Sequence, residues 1–220
     1  MNKRAFKDKV YSELGRVAKA LANAHRMEIV DLLAQGPFSV EQIAQQTDMS
    51  IANTSQHLQV LKSARLVEVS RKGNFIFYHL AGEKVFDAWS ALRELGMMQN
   101  AEVERLMHDF RNSKHQLEQV TMEELLRKIG AEVVVILDVR PEEEFYRGHI
   151  HRALSMPVDH LLERLNELPK DKEIIAYCRG PLCVFADEAV ALLHGKGFKA
   201  KRLEAGFPDW QAKGLPVEVK

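Results

Sequence analysis

"GPFSVEQIAQQTDMSIANTSQHLQVLKSARLVEVSRKGNFIFYHL", residues 36–80, changes its hydrophobic period once. As far as Leu61 the apolar residues recur at helical spacing, and after Arg65 they alternate with polar ones around "KGN" at 72–74. Ser39 followed by Gln42 is a capping-box signature, and Ser50 can cap another helix after a short turn at Asp48 and Met49. Helix, tight turn, helix and β-hairpin are therefore predicted in that order. Ile43, Ala44, Ile51, Leu58 and Leu61 are expected to form the shared core. Asn53, Thr54, Ser55, Gln56 and His57 then fall near the exposed N-terminal half of the second helix. Short polar side chains there suit base edges and phosphates in a major groove, with simple solvation of a surface helix as the alternative. Arg71 and Lys72 at the hairpin tip are placed to meet a DNA backbone. From 51 to 80 the charges are Lys62, Arg65, Arg71 and Lys72 against Glu68, a local positive excess in a chain whose 31 basic and 31 acidic residues cancel.

Outward from this stretch, residues 6–33 read as two helices with a break at 22–26. A closing helix is expected from 82 into 110, with Phe86, Leu92, Leu95, Met97, Met98, Val103 and Leu106 as its apolar positions. A chain of 220 residues, 46% of them hydrophobic, is long enough for two domains. The expected division is 1–110, a linker at 111–120, and 121–220. Apolar runs such as "VVVIL" at 133–137 fall short of the roughly 20 residues of a membrane span, and the basic start lacks the apolar core of a signal peptide. A cytoplasmic protein with no membrane partner is the simplest reading. In that compartment a close pair of thiols points to redox or catalytic use more than to a structural staple.

Residues 18–80 resemble the ArsR/SmtB family of bacterial repressors over nearly all of that family's domain. The resemblance implies a winged helix-turn-helix and a homodimer joined through the first helix and the helix after the wing. It also implies a double-stranded DNA operator with an inverted repeat, left when an inducer arrives. Metal-sensing members carry cysteines on the helix that here reads "FSVEQI", and this chain has none there. Asp87, Glu102, His108 and Asp109 lack the ligand spacing of the second metal site known in that family, so no metal is expected, and no cofactor. His25, His57 and His79 read as structural or DNA-facing.

The second half alternates strands and helices: "EVVVILDVR", "EIIAYC", the helix "FADEAVALLHGKG", and "KAKRLEA". That order predicts an α/β domain, a parallel sheet covered by helices, with its site beyond the carboxyl ends of the strands. Thr121 opens its first helix with a capping box to Glu124. "ILDVRPEEEF", "GHIHRALSMP", "YCRGPLCV" and "GFPDWQAKGLPVE" together resemble the single-domain rhodanese family over about 121–218. The resemblance implies that Cys178 takes a sulfane sulfur as a persulfide and passes it on. It also implies that Asp138, Arg140, Glu144 and His149 support the surrounding loops, and that Trp210 and Pro216 pack in the core.

The loop itself holds both cysteines, Cys178 and Cys183, with Arg179, Gly180, Pro181 and Leu182 between them. A thiolate is the working form of a sulfur nucleophile, and a strand end beside a helix N-terminus is expected to lower the pKa of Cys178. Arg179, turned inward, would add charge for an anionic donor. Gly180 permits a tight turn, and Pro181 suits the first turn of the following helix. Where many active rhodaneses carry an arginine, five positions after the nucleophile, this chain has Cys183, a possible resolving thiol. A repressor that senses a sulfane-sulfur donor is thus the leading expectation. A sulfurtransferase tethered to DNA is the alternative, and an arsenic-responsive regulator is the least favoured.

Overall fold

The computed structural model describes residues 1–112 and 118–219. It separates into two compact units, Met1–Leu92 and Arg93–Lys220. None of the described helices is long and apolar enough to cross a membrane.

The first unit opens with α1 (Lys3–Leu21) and α2 (Ala24–Leu33). Asn23 makes the break, its side-chain oxygen accepting the Arg26 N–H at 3.2 Å. The central stretch forms β1 (Phe38–Ser39), α3 (Val40–Gln46), α4 (Ile51–Ser63), β2 (Val67–Lys72) and β3 (Phe75–Leu80). Both bonds of the Ser39–Gln42 capping box are present, at 2.9 and 3.3 Å. Ser50 caps α4 by accepting the Asn53 N–H. Between the helices Asp48 adopts a left-handed φ of 51°, which aspartate tolerates better than most residues. Arg71 faces Ile76 and Lys72 faces Phe75 across the hairpin, leaving Gly73 and Asn74 as a two-residue turn with Gly73 at φ 62°. The strands run in the order β1-β3-β2. Ile29, Val30, Ile43, Leu58, Leu61 and Trp89 share one core. Ile51 does not join it: at the first position of α4 it stays 52% exposed.

The helix expected over 82–110 is two helices, α5 (Glu83–Gln99) and α6 (Ala101–Asn112). Asn100 interrupts it, its side-chain oxygen accepting the Glu102 N–H at 3.1 Å. Trp89 on α5 donates to Asp31 of α2 at 2.6 Å. The division at 92/93 falls within α5, so α6 belongs to the second unit, ahead of the expected boundary at 110. Of the expected linker at 111–120, residues 113–117 lie outside the described residues, 111 and 112 finish α6, and 119 and 120 are already strand.

The second unit continues with β4 (Gln119–Val120), α7 (Met122–Gly130), β5 (Val134–Asp138), α8 (Glu142–Arg147), β6 (His149–Ile150) and β7 (Leu154–Ser155). Then come β8 (Glu173–Tyr177), α9 (Phe185–Gly195), β9 (Ala200–Leu203), α10 (Phe207–Ala212) and β10 (Val217–Glu218). Five strands in the order β4-β9-β8-β5-β7 form a parallel sheet. Neighbouring residues along a strand point to opposite faces, and both faces are covered. Leu137, Ile174 and Ala176 pack with Val190 and Leu193 of α9, while Ile136, Ile175 and Tyr177 pack with Leu203 and Trp210.

Asp138, fully buried at the end of β5, ties that strand to its neighbours. It accepts from the Arg140 guanidinium at 2.6 Å and from the Tyr177 hydroxyl at 2.5 Å, while Arg140 also donates to the Gly148 carbonyl at 2.7 Å. Burial and the adjacent carboxylate push the Tyr177 pKa well up, which keeps its proton available to donate. Replacing Asp138 with alanine strands the Arg140 charge in the interior, a change that costs about 3–5 kcal/mol. Urea unfolding of Asp138→Ala should show a loss of that size, and Asp138→Asn a smaller one.

Candidate functional site

Cys178 follows directly on β8 and is 1% exposed. Its backbone carbonyl accepts the Phe207 N–H at 3.0 Å, and its sulfur lies 3.6 Å from the Cys183 carbonyl oxygen and 3.8 Å from that of Gly180. The Cys183 N–H returns to the Gly180 carbonyl at 3.1 Å, so residues 180–183 form a β-turn with Pro181 at its second position. Pro181 therefore sets this turn and does not begin the helix, because α9 starts only at Phe185. Gly206 packs against the other side of the loop. A Cβ there would come within 2.2 Å of the Arg179 carbonyl and 2.3 Å of the Gly180 nitrogen, so only glycine fits.

The two thiols divide their roles differently from expectation. Burial pushes the Cys178 pKa well up, and the neighbouring Cys183 side chain raises it further. The Cys178 side chain in turn brings Cys183 down to about 7, against the cost of its own burial, with help from the N–H groups of Phe185 and Arg179 and from the Arg179 charge. Expectation placed the lowered pKa on Cys178. The strand end buries Cys178 so completely that the Ala186 N–H and the Arg202 charge do not offset the penalty, whereas the less buried Cys183 has the N–H groups of Phe185 and Arg179.

Arg179 does not turn toward an open donor site. Its guanidinium grips the buried Glu144 carboxylate at 2.5 and 3.1 Å and lies 5.4 Å from the centre of the Phe185 ring. Glu144 thus braces the loop from α8. Asp138 and Arg140 brace the strand ends, and His149 stacks on Phe145 at 3.7 Å with its other nitrogen 3.4 Å from Glu218. Leu182 is 42% exposed.

Five charged residues around the loop were not singled out from the sequence. Arg111 of α6 donates to the Pro181 carbonyl at 2.6 Å and lies 3.6 Å from Asp187, whose buried carboxylate takes Arg202 at 3.0 and 3.1 Å. Behind the loop, Arg93 is paired with Asp209, which also caps α10 by accepting the Gly206 N–H at 3.0 Å. An Asp187 just inside a helix start and an Arg202 in a buried strand are the signals that could have marked them, since isolated charges rarely sit there unpaired.

In the first unit Gln56 is exposed on α4, and Asn53 and Ser55 are partly so. Thr54 is withdrawn from the DNA-facing set: it is wholly buried and its hydroxyl donates to the Ser50 carbonyl at 3.0 Å. His57 is half-buried beside His25, ring centres 5.5 Å apart, and burial together with that neighbour lowers its pKa. Arg71 and Lys72 are exposed at the hairpin.

A helix-turn-helix flanked by a basic hairpin, followed by a parallel-sheet domain with a cysteine loop at its strand ends, defines a winged helix regulator of the ArsR type carrying a rhodanese-like domain. Family models agree: a helix-turn-helix domain matches residues 21–70 and a rhodanese-like domain residues 121–213. An HTH-type transcriptional regulator of Mycobacterium tuberculosis is 42% identical over 206 residues, 94% of this chain and 90% of that protein, and the chain belongs to its family. A sulfurtransferase of Allochromatium vinosum is 31% identical over 91 residues, 41% of this chain and 84% of that protein. A solved winged helix-turn-helix DNA-binding domain of Mycobacterium bovis, described as homodimeric, is 39% identical, with 46% of this chain and 91% of that one covered and a TM-score of 0.43.

Alkylation of Cys183 by iodoacetamide should rise with pH through a midpoint near 7, since the thiolate accumulates as pH climbs past its lowered pKa. In Cys178→Ala, which loses the donor, the midpoint should move up toward the ~8.5 of a free cysteine. An unchanged midpoint would show that Cys178 does not hold the Cys183 charge.

Proposed function

We propose that this DNA-binding transcriptional regulator is a repressor that leaves its operator when the loop at 178–183 takes up sulfane sulfur. The supporting observation is the pair of thiols on one short loop, Cys178 buried with its sulfur 3.6 Å from the Cys183 carbonyl oxygen and Cys183 only partly buried, in a chain whose other half is an ArsR-type DNA-binding domain. Such a pair can accept one sulfur atom and then close to a disulfide or a sulfur-bridged link. A homodimer is part of the reading: Phe6, Val10, Leu14 and Val17 on α1, with Val60 on α4, line an open apolar groove of about 1120 Å³ suited to a second copy. Two copies on an inverted repeat would set their α4 helices about 34 Å apart, one DNA turn. Asn53, Ser55 and Gln56 would then read base edges while Arg71 and Lys72 meet phosphates.

Likeness to a sulfurtransferase supports a second reading, in which the domain turns sulfur over without touching DNA affinity. Against it, Arg179 is held by Glu144, and Cys183 stands where the resembling enzymes have a further arginine. Neither position leaves a cation to hold a thiosulfate dianion.

Operator affinity separates the two. A duplex selected from a random pool by the reduced protein serves as probe, read by fluorescence polarisation before and after inorganic polysulfide. Weakening by at least about 100-fold is expected for wild type and none for Cys178→Ser; complete reversal of a 99:1 balance would need about 5.5 kcal/mol. Unchanged affinity in a fully loaded protein, together with rapid thiocyanate formation from thiosulfate and cyanide, would establish the second reading instead.

A further inference from the structure

Beside the cysteine loop, inside the second unit, lies a cleft of about 260 Å³ between α6 and residues 181–184. Its walls include Val103, Leu106, Met107 and Phe110 from α6 and Leu182 from the loop, and Cys183 forms part of its lining. Cys178 is not among the lining residues and is 1% exposed. Among the described residues the charged groups lining the cleft are Arg111 and Asp187, 3.6 Å apart, with Arg202 bound to both oxygens of Asp187 and Arg111 also bonded to the Pro181 carbonyl.

We propose that sulfur reaches this loop first at Cys183, through the apolar cleft beneath α6, and that its carrier is an apolar sulfane-sulfur chain, a persulfide or polysulfide, in preference to thiosulfate. This rests on the sulfur-responsive reading above and reverses the order of the two thiols within it. Burial explains the order: a carrier must touch the sulfur it loads, and the cleft reaches Cys183 while Cys178 is sealed behind it. Chemistry explains the carrier. A dianion entering apolar walls gives up its hydration, and among the described residues the cation lining the cleft, Arg111, is already held by the Pro181 carbonyl and Asp187; a neutral or singly charged sulfur chain loses little, and the Met107 thioether is a soft partner for it.

The Cys183 thiolate attacks the terminal sulfur of R–S–SH. An Sγ–S bond forms, the S–S bond of the carrier breaks, and R–S⁻ leaves with the electron pair. The Cys178 thiol, whose sulfur lies 3.6 Å from the Cys183 carbonyl oxygen, then attacks the Cys183 sulfur. A Cys178–Cys183 disulfide forms, and the outer sulfur leaves as HS⁻, taking the Cys178 proton to become H₂S. Two thiols are oxidised and one persulfide is reduced to a thiolate and sulfide, so no other oxidant is required.

Full-length protein given brief exposure to a short alkyl hydropersulfide, to inorganic polysulfide or to thiosulfate, then trapped with an alkylating agent, can be read by peptide mass spectrometry. Cys178→Ser should accumulate one extra sulfur on Cys183 and keep it, with no disulfide formed, and Cys183→Ser should load at least about 10-fold more slowly than wild type. Leu106→Trp, at a half-exposed position on α6, should slow loading by the alkyl persulfide about 10-fold without changing the melting temperature. A smaller effect on inorganic polysulfide would show that the alkyl group occupies the cleft, and an equal effect that the sulfur chain does. Loading of Cys178 at the wild-type rate in Cys183→Ser, or thiosulfate outpacing both other donors, would overturn the proposal; operator release by polysulfide would still stand in either case. Wild-type protein that takes sulfur from none of the three would sink both.

Discussion

Cys178 has almost no space around it, and much of the chemistry of this chain follows from that crowding. A sulfur walled in between β8 and α9 cannot carry a charge cheaply, so it keeps its proton. The carbonyl oxygens of Cys183 and Gly180 lie within reach of that proton. Cys183, less deeply buried and beside the N–H groups of Phe185 and Arg179, is the more easily ionised of the two. The Arg179–Glu144 pair holds the backbone between them, and the Asp138–Arg140–Tyr177 cluster fixes the strand ends from which the loop departs. These buried ion pairs do more for geometry than for net stability, since desolvation consumes most of their attraction.

The first unit is built on different means. Its stability comes from one apolar core to which five helices, α1 to α5, and a hairpin contribute, and its polar outer surface is set by caps and turns. Asn23, Ser39 and Ser50 each start a helix by accepting a backbone N–H, so the angle at which α4 is presented depends on short side chains at its ends and not on its exposed face. That leaves the exposed residues of α4 free to vary without disturbing the fold.

Local chemistry was legible in the sequence, and long-range placement was not. The capping box at Ser39, the hairpin turn at Gly73, the alternation of strands and helices after 121, and the importance of the 178–183 loop all depend on residues near one another in the chain. Thr54 looked like a surface residue because its hydroxyl is polar; it is buried because that hydroxyl closes a bond one turn back to Ser50. The division between α5 and α6 rests on a single asparagine in an otherwise continuous apolar pattern. Arg111, Asp187 and Arg202 meet only after the chain has folded, from a helix, a second helix and a strand far apart in sequence. The reversal of the two cysteine pKa values belongs to the same class: a strand end beside a helix start favours a thiolate, but how deeply each cysteine is buried depends on the path of the loop.

The contact at Gly206 has a mechanical consequence. Backbone lies directly on backbone there, with no side chain between to yield, and the Phe207 N–H is bonded to the Cys178 carbonyl. The cysteine loop and the start of α10 therefore behave as meshed gear teeth and not as cushioned surfaces: neither can shift without the other turning. Asp209, which caps α10 and holds Arg93, rides on the same tooth. A new covalent link within the loop would have no slack in which to be absorbed.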